Sequence, residues 1–144
     1  MHQGKNLQLA PLLVVDDDRA TRESVRLLFE DTGHIVLEAD NGKDALVMLR
    51  ESSRPLVVLL DLVMPELGGE GVLRAIFRDR HLRRWHAFIL MSALPHLSHN
   101  LPLQRMMRAL AIDQVPKPFD VADLEEAVSR AQQRQRRWVP VQTM

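Results

Sequence analysis

The chain has 144 residues, a length typical of one domain with its own hydrophobic core. Its 46% of hydrophobic residues excludes a disordered chain, and its lack of cysteine excludes disulfides and thiolate metal sites. The 19 basic and 19 acidic residues cancel to a formal net charge of +0, so bulk charge predicts neither a nucleic-acid nor a membrane partner.

Short apolar runs alternate with amphipathic segments along the chain. Five runs predict strands, at residues 12–15, 35–37, 56–60, 87–91 and, more weakly, just before Lys117. The segments between them predict helices at residues 19–32, after Asn41, at 70–80, at 103–111 and after Asp120. Asp18, Asn41 and Asp120 suit the N-caps of their helices, and Gly33 suits the end of the first helix.

This alternation predicts the fold class, which is α/β with a parallel sheet and helices on both faces. Residues 56–60 are apolar at every position, as expected of a central strand buried on both faces. We expect one domain over residues 11–131, an N-terminal extension at 1–10, and a helix end, linker or tail at 132–144. The lack of cysteine, of a signal-peptide pattern and of a long apolar run favours a cytoplasmic location.

Polar side chains follow the predicted strands at the point where each strand ends. Asp16 and Asp17 follow the first strand, Asp61 the third, Ser92 the fourth and Lys117 the fifth. The carboxyl ends of parallel strands share one edge of the sheet, where α/β proteins place their sites. We therefore expect these five side chains to meet around one site.

Three carboxylates in one place repel each other. At an effective dielectric constant of about 20, two unit charges about 4 Å apart repel by about 4 kcal/mol. Such a cluster therefore either keeps a proton or binds a cation. Ligands that are all oxygen suit a hard divalent ion, and Mg²⁺ typically takes one or two carboxylates and keeps several waters.

An aspartate in such a site has a clear chemical use, because a carboxylate can attack phosphorus and form an aspartyl phosphate. The metal and Lys117 then offset charge on the transferring phosphoryl oxygens, and the Ser92 hydroxyl can hydrogen-bond the new group. The added charge of roughly −1.5 to −2 is enough to draw in a hydroxyl and its loop, and so to bias a two-state surface.

The pattern resembles the receiver domain of two-component response regulators. The matching segments occur in the family's order, from about residue 10 to residue 131: LLVVDDD at 12–18, VVLLDLVMPELGG at 57–69, FILMSA at 88–93 and VPKPF at 115–119. The resemblance implies a flavodoxin-like fold with strand order 2-1-3-4-5. It also implies phosphorylation of Asp61 by a histidine kinase or phosphotransfer partner.

The resemblance also implies a role for each site residue. Asp17 would be the more direct Mg²⁺ ligand, Asp16 would act more through water, and Asp61 would bind the metal as well. Val63 would contribute its backbone carbonyl. The remaining two positions of the motif, the hydroxyl and the lysine, fall on Ser92 and Lys117.

Three features depart from the family pattern. The position three residues before the lysine, usually aromatic and a switch partner for the hydroxyl, holds Gln114. The Gly-Ala that often precedes the fifth strand is replaced by Leu110-Ala111, and the segment after Ser92 is longer and richer in proline than usual. All three lie where the family reads out phosphorylation.

The sequence therefore predicts a phosphorylation-controlled switch that acts through protein contacts and catalyses at most its own phosphorylation and dephosphorylation. Its expected partners are the phosphodonor protein and a downstream partner or output domain, and a homodimer is possible. One alternative is a receiver-fold scaffold that works without phosphate, motivated by Gln114. Another is a haloacid-dehalogenase-like phosphatase with Asp16-x-Asp18 as its first motif, although no later acidic pair is suitably placed.

Overall fold

The computed structural model describes residues 9–92 and 100–138. Five strands alternate with six helices among these residues. The strands are β1 (Leu12–Val15), β2 (Val36–Ala39), β3 (Val57–Asp61), β4 (Ala87–Ser92) and β5 (Asp113–Pro116). The helices are α1 (Arg19–Glu30), α2 (Gly42–Glu51), α3 (Gly69–Arg78), α4 (Arg80–Trp85), α5 (Leu101–Ala109) and α6 (Val121–Trp138).

The strands form one parallel sheet with the order β2-β1-β3-β4-β5. This confirms the predicted fold class and strand order. Residues of β1 and β3 alternate between two hydrophobic cores, one against α1 and α6 and the other against α2, α3 and α5. The residues 12–15 and 57–60 are 0% exposed, as predicted for central strands that are covered on both faces.

Polar side chains cap the helices where the sequence predicts it. Asp18 accepts a hydrogen bond from the Ala20 N–H, and Asn41 accepts one from the Asp44 N–H. Asp120 accepts in the same way from the N–H two residues later. These bonds satisfy N–H groups that the first turn of a helix leaves without partners.

The helix predicted at 70–80 ends at Arg78 in the structure, and a second, unpredicted helix begins at Arg80 because Asp79 separates α3 from α4. The Asp79 N–H donates to the Ile76 carbonyl at the end of α3, and its side chain accepts from the Leu82 N–H to cap α4. A single aspartate thus both ends one helix and begins the next. The arginine-rich sequence around it carries no glycine or proline to mark the break.

The last helix continues past residue 131 and packs against the amino edge of the sheet. Gln132 is buried and hydrogen-bonds both the N–H and the carbonyl of Ala10 at 2.8 Å. Gln135 is also buried and donates to the Leu56 carbonyl at 2.9 Å. Residues 132–135 are therefore part of the packed helix, while residues 1–8 of the predicted extension and 139–144 of the predicted tail lie outside the described residues.

The turns after α1 and α5 have the same geometry but different residues. Gly33 has φ +91° and Ala111 has φ +54°. In each turn the N–H of this residue donates to the carbonyl of the residue three positions earlier. The N–H of the next residue donates to the carbonyl five positions before it. This is the Schellman motif, in which glycine is the usual residue because a left-handed backbone strains any residue with a Cβ.

The two turns give a matched pair of stability predictions. Ala111→Gly should raise the free energy of unfolding by about 1 kcal/mol, and Gly33→Ala should lower it by about the same amount. Both sites are exposed, and a Cβ at Gly33 would meet no atom within 4 Å, so backbone strain is the main variable. Urea unfolding of the two variants measures both shifts; a destabilised Ala111→Gly protein would contradict the assignment.

Candidate functional site

Three carboxylates meet at the carboxyl edge of the sheet, as the sequence predicts. Val15 pairs with Leu60 in the ladder, so Asp16, directly after β1, lies beside Asp61, the last residue of the adjacent β3. Asp16 is 0% exposed and Asp61 is 5% exposed, whereas Asp17 faces solvent. One carboxylate oxygen from each of the three aspartates lies within 4.8 Å of the others.

Lys117 lies between the two buried carboxylates. Its Nζ is 2.7 Å from Asp16 Oδ2 and 3.4 Å from Asp61 Oδ1. The backbone N–H of Lys117 donates to the Ser92 carbonyl, which fixes the lysine just beyond β5, and its bond to Pro118 is cis. The predicted lysine therefore reaches the acidic cluster.

The electrostatics of the site are set by burial and by these contacts. Burial raises the pKa of Asp61 above its ordinary value, and the Asp16 carboxylate raises it further, while the Lys117 ammonium lowers it in part. Burial alone would lower the pKa of Lys117. The hydrogen bond and charge of Asp16, with the help of Asp61, outweigh burial and raise it.

The backbone around Asp16 is held by Arg22, a residue for which the sequence predicts no role. Arg22 Nη1 donates to the Asp16 carbonyl at 2.8 Å, and its Nε donates to the Glu38 carboxylate at 2.9 Å. The Asp18 N–H also donates to the Asp16 carboxylate. No local pattern links Arg22 with Glu38, because their contact crosses from α1 to β2.

The start of α3 packs directly against the backbone of Asp61. A Cβ on Gly69 would lie 2.4 Å from the Asp61 carbonyl oxygen, so only glycine permits this approach. The Val63 N–H donates to Asp61 Oδ1 at 3.3 Å. A role of the Val63 carbonyl as a metal ligand stays a prediction.

Ser92 ends β4 at the same edge, next to Pro116 of β5. It is 1% exposed, and its Oγ has no hydrogen-bond partner among the described residues. A buried hydroxyl without a partner costs free energy, which an incoming acceptor would recover. Most of the proline-rich segment that follows, residues 93–99, lies outside the described residues.

Gln114 is exposed on β5, with Leu90 of β4 as its ladder partner. Where the family usually has an aromatic ring, the surface of this strand therefore presents an amide. The three aspartates and Lys117 are brought together as predicted, while the contact of the Ser92 hydroxyl with this cluster stays a prediction.

The donor set fits a hard divalent cation. The carboxylates of Asp16, Asp17 and Asp61 supply only oxygen ligands, and the exposure of Asp17 leaves room for the waters that Mg²⁺ keeps. The three residues thus satisfy the chemical requirement for a magnesium site. Within residues 9–92 and 100–138, no helix is long and apolar enough to cross a bilayer.

Residues 12–129 match the response regulator receiver domain family. The chain therefore belongs to this family and is a receiver domain of two-component signalling. The family resemblance predicted from the four sequence segments is confirmed.

Two relatives illustrate the range of proteins that share this domain. The response regulator MprA of Mycolicibacterium vanbaalenii is 36% identical over 129 residues, which cover 90% of this chain and 52% of that protein. An uncharacterised 14.6 kDa protein of Leptolyngbya boryana is 34% identical over 119 residues, covering 83% of this chain and 87% of that protein. The chain thus spans about half the length of MprA.

Solved structures share the fold. A response regulator receiver domain protein from Clostridium thermocellum superposes with a TM-score of 0.77 at 28% identity, covering 91% of this chain and 100% of that chain. A CheY-like receiver domain protein from Methanospirillum hungatei gives a TM-score of 0.72 at 28% identity, covering 88% and 98%.

The contact between Lys117 and Asp61 predicts the effect of removing the lysine. In metal-free buffer, Lys117→Met should raise the pKa of Asp61 further, because the ammonium is a main influence that lowers it. NMR titration of the Asp61 carboxyl carbon measures this shift. Lys43→Met removes an exposed lysine outside the cluster and should leave the Asp61 titration unchanged. An unchanged or lower pKa in Lys117→Met would contradict the proposed electrostatics.

Proposed function

We propose that this receiver domain is a phosphorylation-controlled switch in which Asp61 accepts a phosphoryl group from the phosphohistidine of a kinase or phosphotransfer protein. The observation that carries this proposal is the arrangement around Asp61. Its nearly buried carboxylate lies beside the Lys117 ammonium and within 4.8 Å of ligand oxygens from Asp16 and Asp17. This geometry combines a nucleophile, a positive charge and an oxygen-only metal site.

The transfer makes one bond and breaks one. An Asp61 carboxylate oxygen attacks phosphorus, the new O–P bond forms, and the P–N bond breaks with its electron pair returning to the imidazole. Asp61 must be ionised to attack, and Lys117 opposes the effect of burial by favouring the ionised form. Bound Mg²⁺ supplies positive charge that offsets the charge of the phosphoryl oxygens.

Two side chains stabilise the product. The Lys117 ammonium, which pairs with Asp16 and Asp61, is close enough to pair with a phosphoryl oxygen after a small movement. The Ser92 hydroxyl, buried without a partner among the described residues, donates to another phosphoryl oxygen. A new acceptor at this hydroxyl gives the phosphorylated state an interaction that the unmodified state lacks.

The phosphatase alternative has less support. It needs Asp18 as its second catalytic carboxylate, but that side chain accepts the Thr21 hydroxyl at 2.7 Å and the Ala20 N–H at 3.3 Å. The Thr21 hydrogen bond also lowers the pKa of Asp18, the opposite of what a general acid requires. We propose that catalysis by this domain is limited to its own phosphorylation and dephosphorylation.

The partners follow from this mechanism. We propose a histidine kinase or phosphotransfer protein as the donor, and a downstream protein or output domain as the reader of the switch. The scaffold alternative rests on the exposed Gln114 and requires that the affinity for the partner does not change on phosphorylation. A cytoplasmic location and a homodimer stay predictions.

Phosphorylation can be tested without knowing the kinase. Incubation with radiolabelled acetyl phosphate should label the protein only when Mg²⁺ is present, and Asp61→Asn should reduce labelling to background. Asp40→Asn, a change of an exposed aspartate outside the cluster, should label like the parent. Full labelling of Asp61→Asn would show that the acceptor is misassigned.

Metal binding should raise the free energy of unfolding by an amount set by the ratio of the Mg²⁺ concentration to its Kd. Mg²⁺ at about 100 times its Kd should raise the free energy of unfolding by about 2.7 kcal/mol, because only the folded protein has the site. Asp17→Asn should abolish the increase in thermal midpoint, since this exposed ligand is not needed for packing. Asp40→Asn should keep the increase. A normal response to Mg²⁺ in Asp17→Asn would remove Asp17 from the ligand set.

A further inference from the structure

A cleft lined by arginines lies at the amino edge of the sheet, away from the aspartates. Its volume is about 300 Å³, and its walls come from α4, the start of β4, the end of α5 and the second half of α6. Arg83, Arg84 and Arg134 line it, and its described lining includes no acidic residue. Ala87, which lines the cleft, and Ser92 lie at opposite ends of the six-residue strand β4, roughly 17 Å apart.

Arg134 gives the strongest indication of a ligand. Its Nη1 is 3.8 Å from Asp113 Oδ2, but Arg130 Nε already approaches the same oxygen at 3.1 Å. Its Nη2 is buried and has no hydrogen-bond partner among the described residues. A shielded guanidinium N–H without an acceptor is costly, so Arg134, which lines the cleft, keeps donor capacity that its ion pair with Asp113 leaves unused.

The floor of the cleft is fixed and uncharged. His86 Nδ1 accepts from the Leu56 N–H at 3.0 Å, and His86 Nε2 lies 3.0 Å from the Leu49 carbonyl. Burial lowers the pKa of His86 to about 4, so the ring is neutral near pH 7. Gln135 is held by its donation to the Leu56 carbonyl. The charge of the cleft therefore comes from its arginines, while hydrogen bonds hold His86 and Gln135 in place.

Helix stabilisation explains some of the arginines that line the cleft. Arg83 and Arg84 are in the last turn of α4, where cations stabilise the negative end of the helix dipole. Arg83 also donates to the Phe77 carbonyl and stacks over the Phe77 ring. Neither effect accounts for Arg134, which lies inside α6 and lines the same cleft.

We infer that this cleft binds a small anion through phosphate or carboxylate groups. The planar guanidinium fork matches the paired oxygens of either group, and the cleft that Arg83 and Arg134 line is at the lower end of the size range of small-molecule sites. The site is independent of the proposed phosphorylation of Asp61, which takes place at the opposite edge of the sheet.

Calorimetric titration of the full chain tests this inference. The probes are pyrophosphate and, separately, citrate, in low-salt buffer without Mg²⁺ so that neither screening nor chelation interferes. We expect saturable binding of one anion per chain. The stronger of the two probes identifies the preferred group. The absence of saturable binding by both would overturn the inference.

Variants assign the binding to the cleft. Arg134→Gln and Arg83→Gln should each weaken binding about tenfold, as expected for the loss of one charge-assisted hydrogen bond. Arg83→Gln changes an exposed residue of α4, so it tests the cleft even if Arg134→Gln fails to fold. Arg19→Gln removes a guanidinium that is 82% exposed on α1 and should bind like the parent.

An NMR experiment locates the anion directly. Added pyrophosphate should shift the amide signals of residues 87–88 and 109–111, which line the cleft. Shifts confined to the surroundings of Asp61 and Lys117 would overturn the inference, as would equal affinities of Arg134→Gln and Arg19→Gln. If no anion binds in the cleft, the expected labelling of Asp61 is unaffected, so the two proposals can be tested separately.

Discussion

The contact of the Lys117 ammonium with the buried carboxylates of Asp16 and Asp61 is the constraint on which this site depends. It joins the ends of β1, β3 and β5, and its partners Lys117 and Asp16 are 101 residues apart in sequence. Burial and the neighbouring Asp16 carboxylate both raise the pKa of Asp61, and the nearby ammonium offsets part of this effect. The ammonium supplies one positive charge for two negative ones, so the site retains a net attraction for a further cation.

The same aspartates help to set the register of the sheet. The residues of β1 and most of β3 are apolar and buried on both faces, so the hydrophobic pattern does not distinguish one register from a shift by one residue. A shift would move Asp61 out of its position beside Asp16 and Lys117. Placing the polar residues at the strand ends therefore specifies the strand pairing and assembles the site at the same time.

The sequence predicts the structure best at positions where the residue type has a single physical explanation. Apolar runs predicted the strands, and aspartates at their ends predicted the acidic cluster, because a parallel sheet brings those ends together. The break at Asp79, the Arg22–Glu38 pair and the burial of Gln132 were missed. Each depends on a contact between elements, or on one side chain with two roles, and neither leaves a periodic signal.

The site residues differ in what phosphorylation would change for them. Asp16 and Lys117 already have strong partners, so a new anion redistributes their interactions. Ser92 is buried with an unpartnered hydroxyl among the described residues, so the proposed phosphorylation would give it a new hydrogen bond. Gln114 is exposed and polar, so burial of its amide would contribute less free energy than burial of an aromatic ring. The free energy available to drive a conformational change is therefore concentrated at the end of β4, and a partner that senses the phosphorylated state should contact that end of the sheet.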